Sequence, residues 1–498
     1  MLIIDEDGKE VRDSWLEKGR SMTYDSTSIK DRRRTWNGAF DPARMPGVLG
    51  ITDNAVFLLA ANLTSVPQLL ALRALIAGYP DVLHFTAVLE LLLKVFPETT
   101  SPEDYVTIVY RSYRRESEPF DPSRIPASFI DQVSSLSQQS LRRKLAEFNL
   151  SPTPRQPANA EADEKVLTQW FFDRARRVEE ATGMIDLARR LVLPDTTNLI
   201  QTPPFPPQAV SIWGKGIVQV LETFIFDNDD EDELQLLSFE NLDANSAVRL
   251  LLSRTTPETV SRNIRNLIVP FVEYVQFHEP GKDKGVWETV WDWLLDRAMA
   301  AEMDFVSNLA NDWTERDHEL LQEFLQTCLT ACYLCHQSTP AIRSDFHRIH
   351  ASISHLSQRL DIPSSEELIV LGHPETDLLA TQLRSSSPLT ALTASSLRFL
   401  DQMITSADIV SSLELPPREL VIIREGTEEA QTQLVDRLLR NEQNWMKRTE
   451  EQWRHLQDSL KWLQSASLVL GKLSADTLNT MVLTALLDAT GIAHLVRN

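Results

Sequence analysis

At 498 residues the chain has room for about three ordinary domains or one elongated helical array. Its 71 acidic residues outnumber 49 basic ones, and the formal charge of −22 argues against broad nucleic-acid binding and against electrostatic adhesion to anionic lipid. Three cysteines cannot close a disulfide framework, and only 15 glycines, with Asn37-Gly38 as the one clear hairpin dipeptide, leave little for β structure. Leu, Ala, Glu, Gln and Arg dominate instead, all good helix formers, so the expected class is all-α.

Residues 1–52 are polar, with isolated apolar side chains and no sustained period, and read as a flexible N-terminal extension. They open with MLIIDEDGKE, acidic where a signal peptide needs a basic start. No run of about 18 uncharged apolar residues follows anywhere, so a cytoplasmic protein without membrane insertion is expected. From Asp53 to residue 148 the sequence reads as N-terminal helical hairpins. TDNAVFLLAANL has Thr52 or Asp53 as its cap, and SVPQLLALRALIAGYP has Ser65 as cap with Gly78 and Pro80 as a stop. LHFTAVLELLLKVFPETT and SPEDYVTIVYRSYRR follow, the latter with Ser101, Pro102 and Asp104 in cap order, and a helix is predicted around 126–148.

Residues 149–163, containing SPTPRQPANAEAD, form a Pro-rich linker. A central helical region spans 164–372, with helices at 164–192 and in AVSIWGKGIVQVLETFIF, which runs into the acidic stretch 227–233. Further helices are predicted over about 244–253, 257–277, 286–310, 315–337 and 341–359. A loop at 373–390 precedes a C-terminal helical region, 391–498, with one long helix near 428–468. There Val435, Leu438, Glu442, Trp445, Thr449, Trp453, Leu456, Leu460 and Leu463 recur at three- and four-residue steps, a coiled-coil-like seam best used for packing on the rest of the chain. No repeat of fixed length is visible, so the expected architecture is an irregular α-solenoid of stacked helical hairpins.

Few motifs promise chemistry. Cys332, Cys335 and His336 spell C-x-x-C-H, the haem-attachment string, and Cys328 adds a third thiol one turn earlier. All three thiols share a helical stripe with Leu321, Phe324 and Leu325, which predicts buried thiols that bind no metal. Asp229, Asp230 and Glu233 match the D-D-x-x-D/E pattern by which class I terpene synthases bind Mg²⁺ diphosphate. A second motif of those enzymes is half echoed by Asn311, Asp312 and Glu319, with Glu315 where a hydroxyl belongs. The acids sit in a polar run rather than on a framed helix face, so a solvated loop is the preferred reading and the enzyme an alternative. WGKGI lacks the P-loop spacing, and no G-x-S-x-G or H-E-x-x-H occurs. No catalytic residue, cofactor or small-molecule substrate is therefore expected. Eleven tryptophans are present, three of them within seven residues. Trp287 and Trp291 share a face at i,i+4 while Trp293 points elsewhere, so core packing takes the larger share and at least one of the three is a candidate partner contact.

The stretch NAVFLLAANLTSVPQLLALRALIAGYPDVLHFTAVLELLLKVFPETTSPEDYV (Asn54 to Val106) resembles the opening of the Sec-thirty-nine domain, down to the P-E-T-x-x-P-x-x-Y turn of Pro97, Glu98, Thr99, Pro102 and Tyr105. Weaker echoes follow in LVLPDTTNLIQTPPFPPQAVSIWGKGIVQVLETF and NLIVPFVEYV. That resemblance implies an α-solenoid subunit of the Dsl-type vesicle tethering complex, related in animals to the neuroblastoma-amplified sequence protein. It implies a protein peripheral on the endoplasmic reticulum, joining the N-terminal domain of an ER SNARE to a rod-like tether subunit in Golgi-to-ER retrieval. A HEAT-like helical adaptor unrelated to that family is the other scaffold reading.

Overall fold

In the computed structural model the described residues are 49–116, 119–151, 159–194, 205–226, 234–314, 318–360, 369, 371, 377–379, 382–383, 387–440 and 445–489. Among them the chain is helical throughout, without a strand. The N-terminal part runs α1 (Asp53–Ser65), α2 (Leu69–Gly78), α3 (Phe85–Lys94), α4 (Pro102–Arg114), α5 (Ala127–Ser134), α6 (Gln138–Glu147), α7 (Ala160–Thr182) and α8 (Ile185–Val192). Then come α9 (Gln208–Phe226), α10 (Leu236–Glu240), α11 (Ala244–Leu252) and α12, built of Val260–Asn263, a π turn Ile264–Ile268 and Val269–His278. The stack continues with α13 (Asp283–Met299), α14 (Met303–Asn311), α15 (His318–Leu334) and α16 (Pro340–Leu356). It ends with α17 (Ala394–Ile409), α18 (Pro417–Glu425), α19 (Glu428–Arg440), α20 (Glu450–Ser465) and α21 (Ala475–Ala489).

Many helices pack on a sequence neighbour or on the helix two places away, as expected of stacked hairpins. Thus α11, α13, α15 and α18 touch in succession along one layer, and α12, α14, α16 and α17 along the other. The fold is an all-α solenoid, and its core is one continuous run of buried Leu, Val, Ile, Ala and aromatic side chains from Ala55 to Ala485. The helix Gln208–Phe226 is long and apolar enough to cross a membrane by length and composition. Half of it is buried in the stack, with Val210, Trp213, Ile217, Val218 and Leu221 inside.

Several predicted single helices are broken in two. The 126–148 helix stops at Ser134 and restarts behind Ser137, whose hydroxyl caps Ser140 N–H. The 164–192 helix breaks at Gly183, which takes the left-handed φ of +68°. The 286–310 helix breaks at Ala301, φ +66°. The long helix near 428–468 is the largest correction. Thr449 and Gln452 form a reciprocal capping box that starts α20 afresh, and a short 3₁₀ turn, Trp445–Lys447, precedes it. Half of the expected seam survives as buried Val435, Leu438, Trp453, Leu460 and Leu463 on two separate helices. Glu442 lies outside the described residues.

At the N-terminal edge, Leu49 N–H donates to the Tyr79 hydroxyl (2.7 Å); residues 1–48 lie outside the described part. Within the span predicted as a Pro-rich linker, Asn159 caps α7, and residues 152–158 lie outside the description. Within the predicted loop 373–390, Leu378, Leu383 and Leu389 are buried, and Arg418 donates to the Leu378 carbonyl (2.8 Å).

Candidate partner-binding surface

The tryptophan run lies on α13. Trp287 and Trp291, one turn apart, stack at 5.2 Å with planes 18° apart, and both are buried. Below them Trp313 and Phe324 stack at 4.0 Å, and Trp291 leans on both. The Trp291 indole N–H donates to Glu323 of α15 (3.3 Å). These two tryptophans therefore belong to the inter-helix core, the larger share of what their spacing predicted. Trp293 differs. It is half-buried and meets Phe305 of α14 edge-on at 5.4 Å, with the Arg297 guanidinium 5.5 Å from its ring centre. Arg297 is in turn paired with Glu302 (3.1 Å). Glu288, Asp292 and Asp296 follow one another at four-residue steps along the exposed side of the same helix.

The cysteine stripe sits one helix on. Cys328 and Cys332 lie inside α15, Cys335 just beyond it, and all three are fully buried and unlinked. Burial among apolar neighbours pushes each thiol above its ordinary range, because a thiolate there would be left without water or a cation. Cys335 Sγ has one polar partner, the Gln337 carbonyl at 3.5 Å. His336 turns outward and is exposed, so the C-x-x-C-H letters do not converge in space. Among the described residues no three His, Cys, Asp or Glu side chains are grouped as metal ligands would be.

The acidic run with Asp229, Asp230 and Glu233 lies outside the described residues, as does Glu315. Asn311 and Asp312 are exposed and bonded to each other (2.9 Å), while Glu319 is held by Lys284 (2.6 Å). The glycines of WGKGI have a packing reason. A methyl group on Gly216 would sit 2.8 Å from the Pro270 carbonyl oxygen and closer still to Tyr274, so α9 and α12 approach backbone to backbone there.

The family-like turn after Phe96 is held by a residue that sequence reading passed over. Arg174 of α7 is fully buried; its two terminal nitrogens donate to the carbonyls of Phe96 (3.0 Å) and Pro97 (2.9 Å). Its guanidinium also lies over the rings of Phe96 (5.8 Å) and Tyr105 (5.5 Å). Glu98 is taken by Arg177 (2.8 Å), Pro102 opens α4, and Tyr105 is buried against Phe96. Each motif residue thus has a place in one clamp between α3, α4 and α7, Thr99 alone excepted. The signal was present: Arg174 stands three and four residues from Phe171 and Trp170 and four from Val178, on the buried stripe of its helix.

With this geometry in place, the comparisons agree on one identity. The family model for "Secretory pathway protein Sec39" matches residues 57–497. "Protein transport protein sec39" of Schizosaccharomyces pombe is 20% identical over 413 residues, which is 80% of this chain and 49% of that protein. The chain therefore spans about half the length of the curated relative it matches. The chain belongs to the Sec39 family of secretory pathway proteins.

Proposed function

We propose that the chain is a non-catalytic scaffold of a vesicle tethering assembly in Golgi-to-ER retrograde transport. In this reading it joins the N-terminal domain of an ER SNARE to a rod-like tether subunit and stays cytoplasmic, peripheral on the ER membrane through those partners. The observation that carries it is the family match along residues 57–497, which makes secretory transport the shared role. A solenoid offers long side faces for other helical proteins without a reaction centre, which suits a linking subunit. Of the three tryptophans, Trp293 with Arg297 is assigned to face a partner, and Trp287 and Trp291 to pack the core between α13 and α15. Affinity purification with mass spectrometry is the test: ER SNAREs and tether subunits are expected among the recovered proteins, and their consistent absence would sink the reading. Trp293→Ala is expected to lower their recovery with a smaller loss of stability than Trp291→Ala, which opens the core of the stack.

A further inference from the structure

Helix α6 buries only Leu141 and Leu145 fully, packing against α1. Those two leucines fix its rotation. At about 100° per residue, Arg143 points straight away from the stack, and Arg142 and Lys144 flank it on either side. All three are exposed, and none has a carboxylate partner among the described residues. Cations elsewhere in the N-terminal half are engaged instead: Arg115 with Asp163 (2.7 Å), Arg177 with Glu98 (2.8 Å), Arg190 with Glu103 (2.8 Å). Glu147 is the single acid of α6 and forms no ion pair with Arg143.

The formal charge of −22 does not oppose a contact made here. Screening at cellular ionic strength cuts charge off at about 8 Å, so the sign of this patch, three cations against one carboxylate, decides what it meets. The three side chains fan over about 200° of the helix; Gln139, Ser140 and Ala146 on the outer side are uncharged, and Glu147 lies between Arg143 and Lys144, so the face keeps an excess of positive charge. They cannot converge on one carboxylate, yet all can reach a plane laid across Arg143. We infer that α6 is a contact for the anionic surface of a lipid bilayer, its phosphates and headgroup carboxylates, which turns the N-terminal hairpins toward the membrane. This stands independently of the partner reading, since the chain and lipid alone suffice.

The test is co-flotation of the purified full chain with phosphatidylcholine vesicles, with or without about a third phosphatidylserine. Binding to the anionic vesicles is expected to exceed binding to neutral ones by at least about fivefold at low salt and to vanish near 1 M salt, where screening acts within about 3 Å. The R142E/R143E/K144E variant is expected to bind both vesicles alike. Because charge reversal on a helix can cost stability, the R142Q/R143Q/K144Q variant is run beside it and must show the same loss with wild-type helix content by circular dichroism. Equal binding of wild-type protein to both vesicles overturns the inference. So does undiminished binding of the glutamine variant, or capture by poly-glutamate without capture by anionic vesicles.

Discussion

Two regions of the solenoid are buried to the same depth by opposite chemistry. At the turn after Phe96 a permanent cation, Arg174, goes into the core and is met by two carbonyls and two aromatic faces. On and just beyond α15 three thiols go in, and among the described residues the Gln337 carbonyl on Cys335 is the one polar group bonded to them. A guanidinium cannot shed its charge, so its burial demands acceptors in fixed places and thereby specifies one turn geometry. A thiol stays neutral when water is withdrawn, so burial settles its state and asks for nothing but volume. The first region carries the family-like motif; the second carries letters that mimic a cofactor box and packs as a hydrophobic stripe.

The sharpest way to break this contrast is Arg174→Met, which keeps the stem and deletes the fork. The Phe96 and Pro97 carbonyls then lose their donors, and bonds to a charged group contribute roughly 1.5–3 kcal/mol each, so a loss of about 3–6 kcal/mol is expected. Hydrogen exchange across residues 96–105 reads it locally and denaturant unfolding globally; unchanged protection of that turn would mean that the clamp stabilises nothing. Next in size is Gly216→Val, where the added atoms meet the α12 backbone and overpacking costs about 2–3 kcal/mol, read as a fall in melting temperature.

On the thiol side the effects are smaller. Cys332→Ala removes one buried sulfur, a cavity cost of about 1 kcal/mol, comparable to Ile→Val in a core. The raised pKa of each thiol predicts that iodoacetamide labels none of them in the folded protein near pH 8 and all three after unfolding. The sign also follows. Thiols with folded pKa values above the ordinary value of about 8.5 contribute nothing adverse below it, and destabilise as pH rises beyond it, when only the unfolded chain ionises. Rapid labelling at neutral pH would show that the stripe opens and would erase the contrast with the clamp.

The sequence made the stack legible because long apolar stripes at helical period tolerate only one class of fold. It also placed the thiols, since Cys328, Cys332 and Cys335 fall on the stripe of Leu321 and Phe324. What it hid were the breaks and the polar ties. Gly183 is a readable stop, but Ala301 in the left-handed region is set by packing on both sides and has no local signature. Thr449 falls on the expected seam and is instead a cap, because a hydroxyl three residues before a glutamine bonds free N–H groups better than it fills a seam. Arg174 was hidden among its neighbours: its carbonyl partners lie 77 and 78 residues earlier, and Arg176 and Arg177 beside it are only partly covered. Trp287 and Trp291 differ from Trp293 by an i,i+4 spacing that the letters show and by a depth that only packing reveals.

The gentlest test sets the acid limb of the clamped region against the alkaline limb of the thiols. Glu103, at the start of α4, accepts from Arg190 of α8 at 2.9 and 2.8 Å and from Ser101. The Arg190 fork is the main reason that its carboxyl is held down to about 2, below the ordinary glutamate value. A depressed folded pKa gives stability that is present in full above about pH 4.5 and is lost as pH falls toward 2. The carboxylate is about half exposed, at 49%, so solvent and salt screen the effect and it stays below that of any core substitution. Wild-type protein is expected to exceed Glu103→Gln in stability near neutral pH, and the gap should close between about pH 4.5 and 2 and narrow in high salt. A constant gap at every pH would assign the Glu103 contribution to packing rather than to its charge, and Arg174 would remain as the buried charge on which the turn after Phe96 depends.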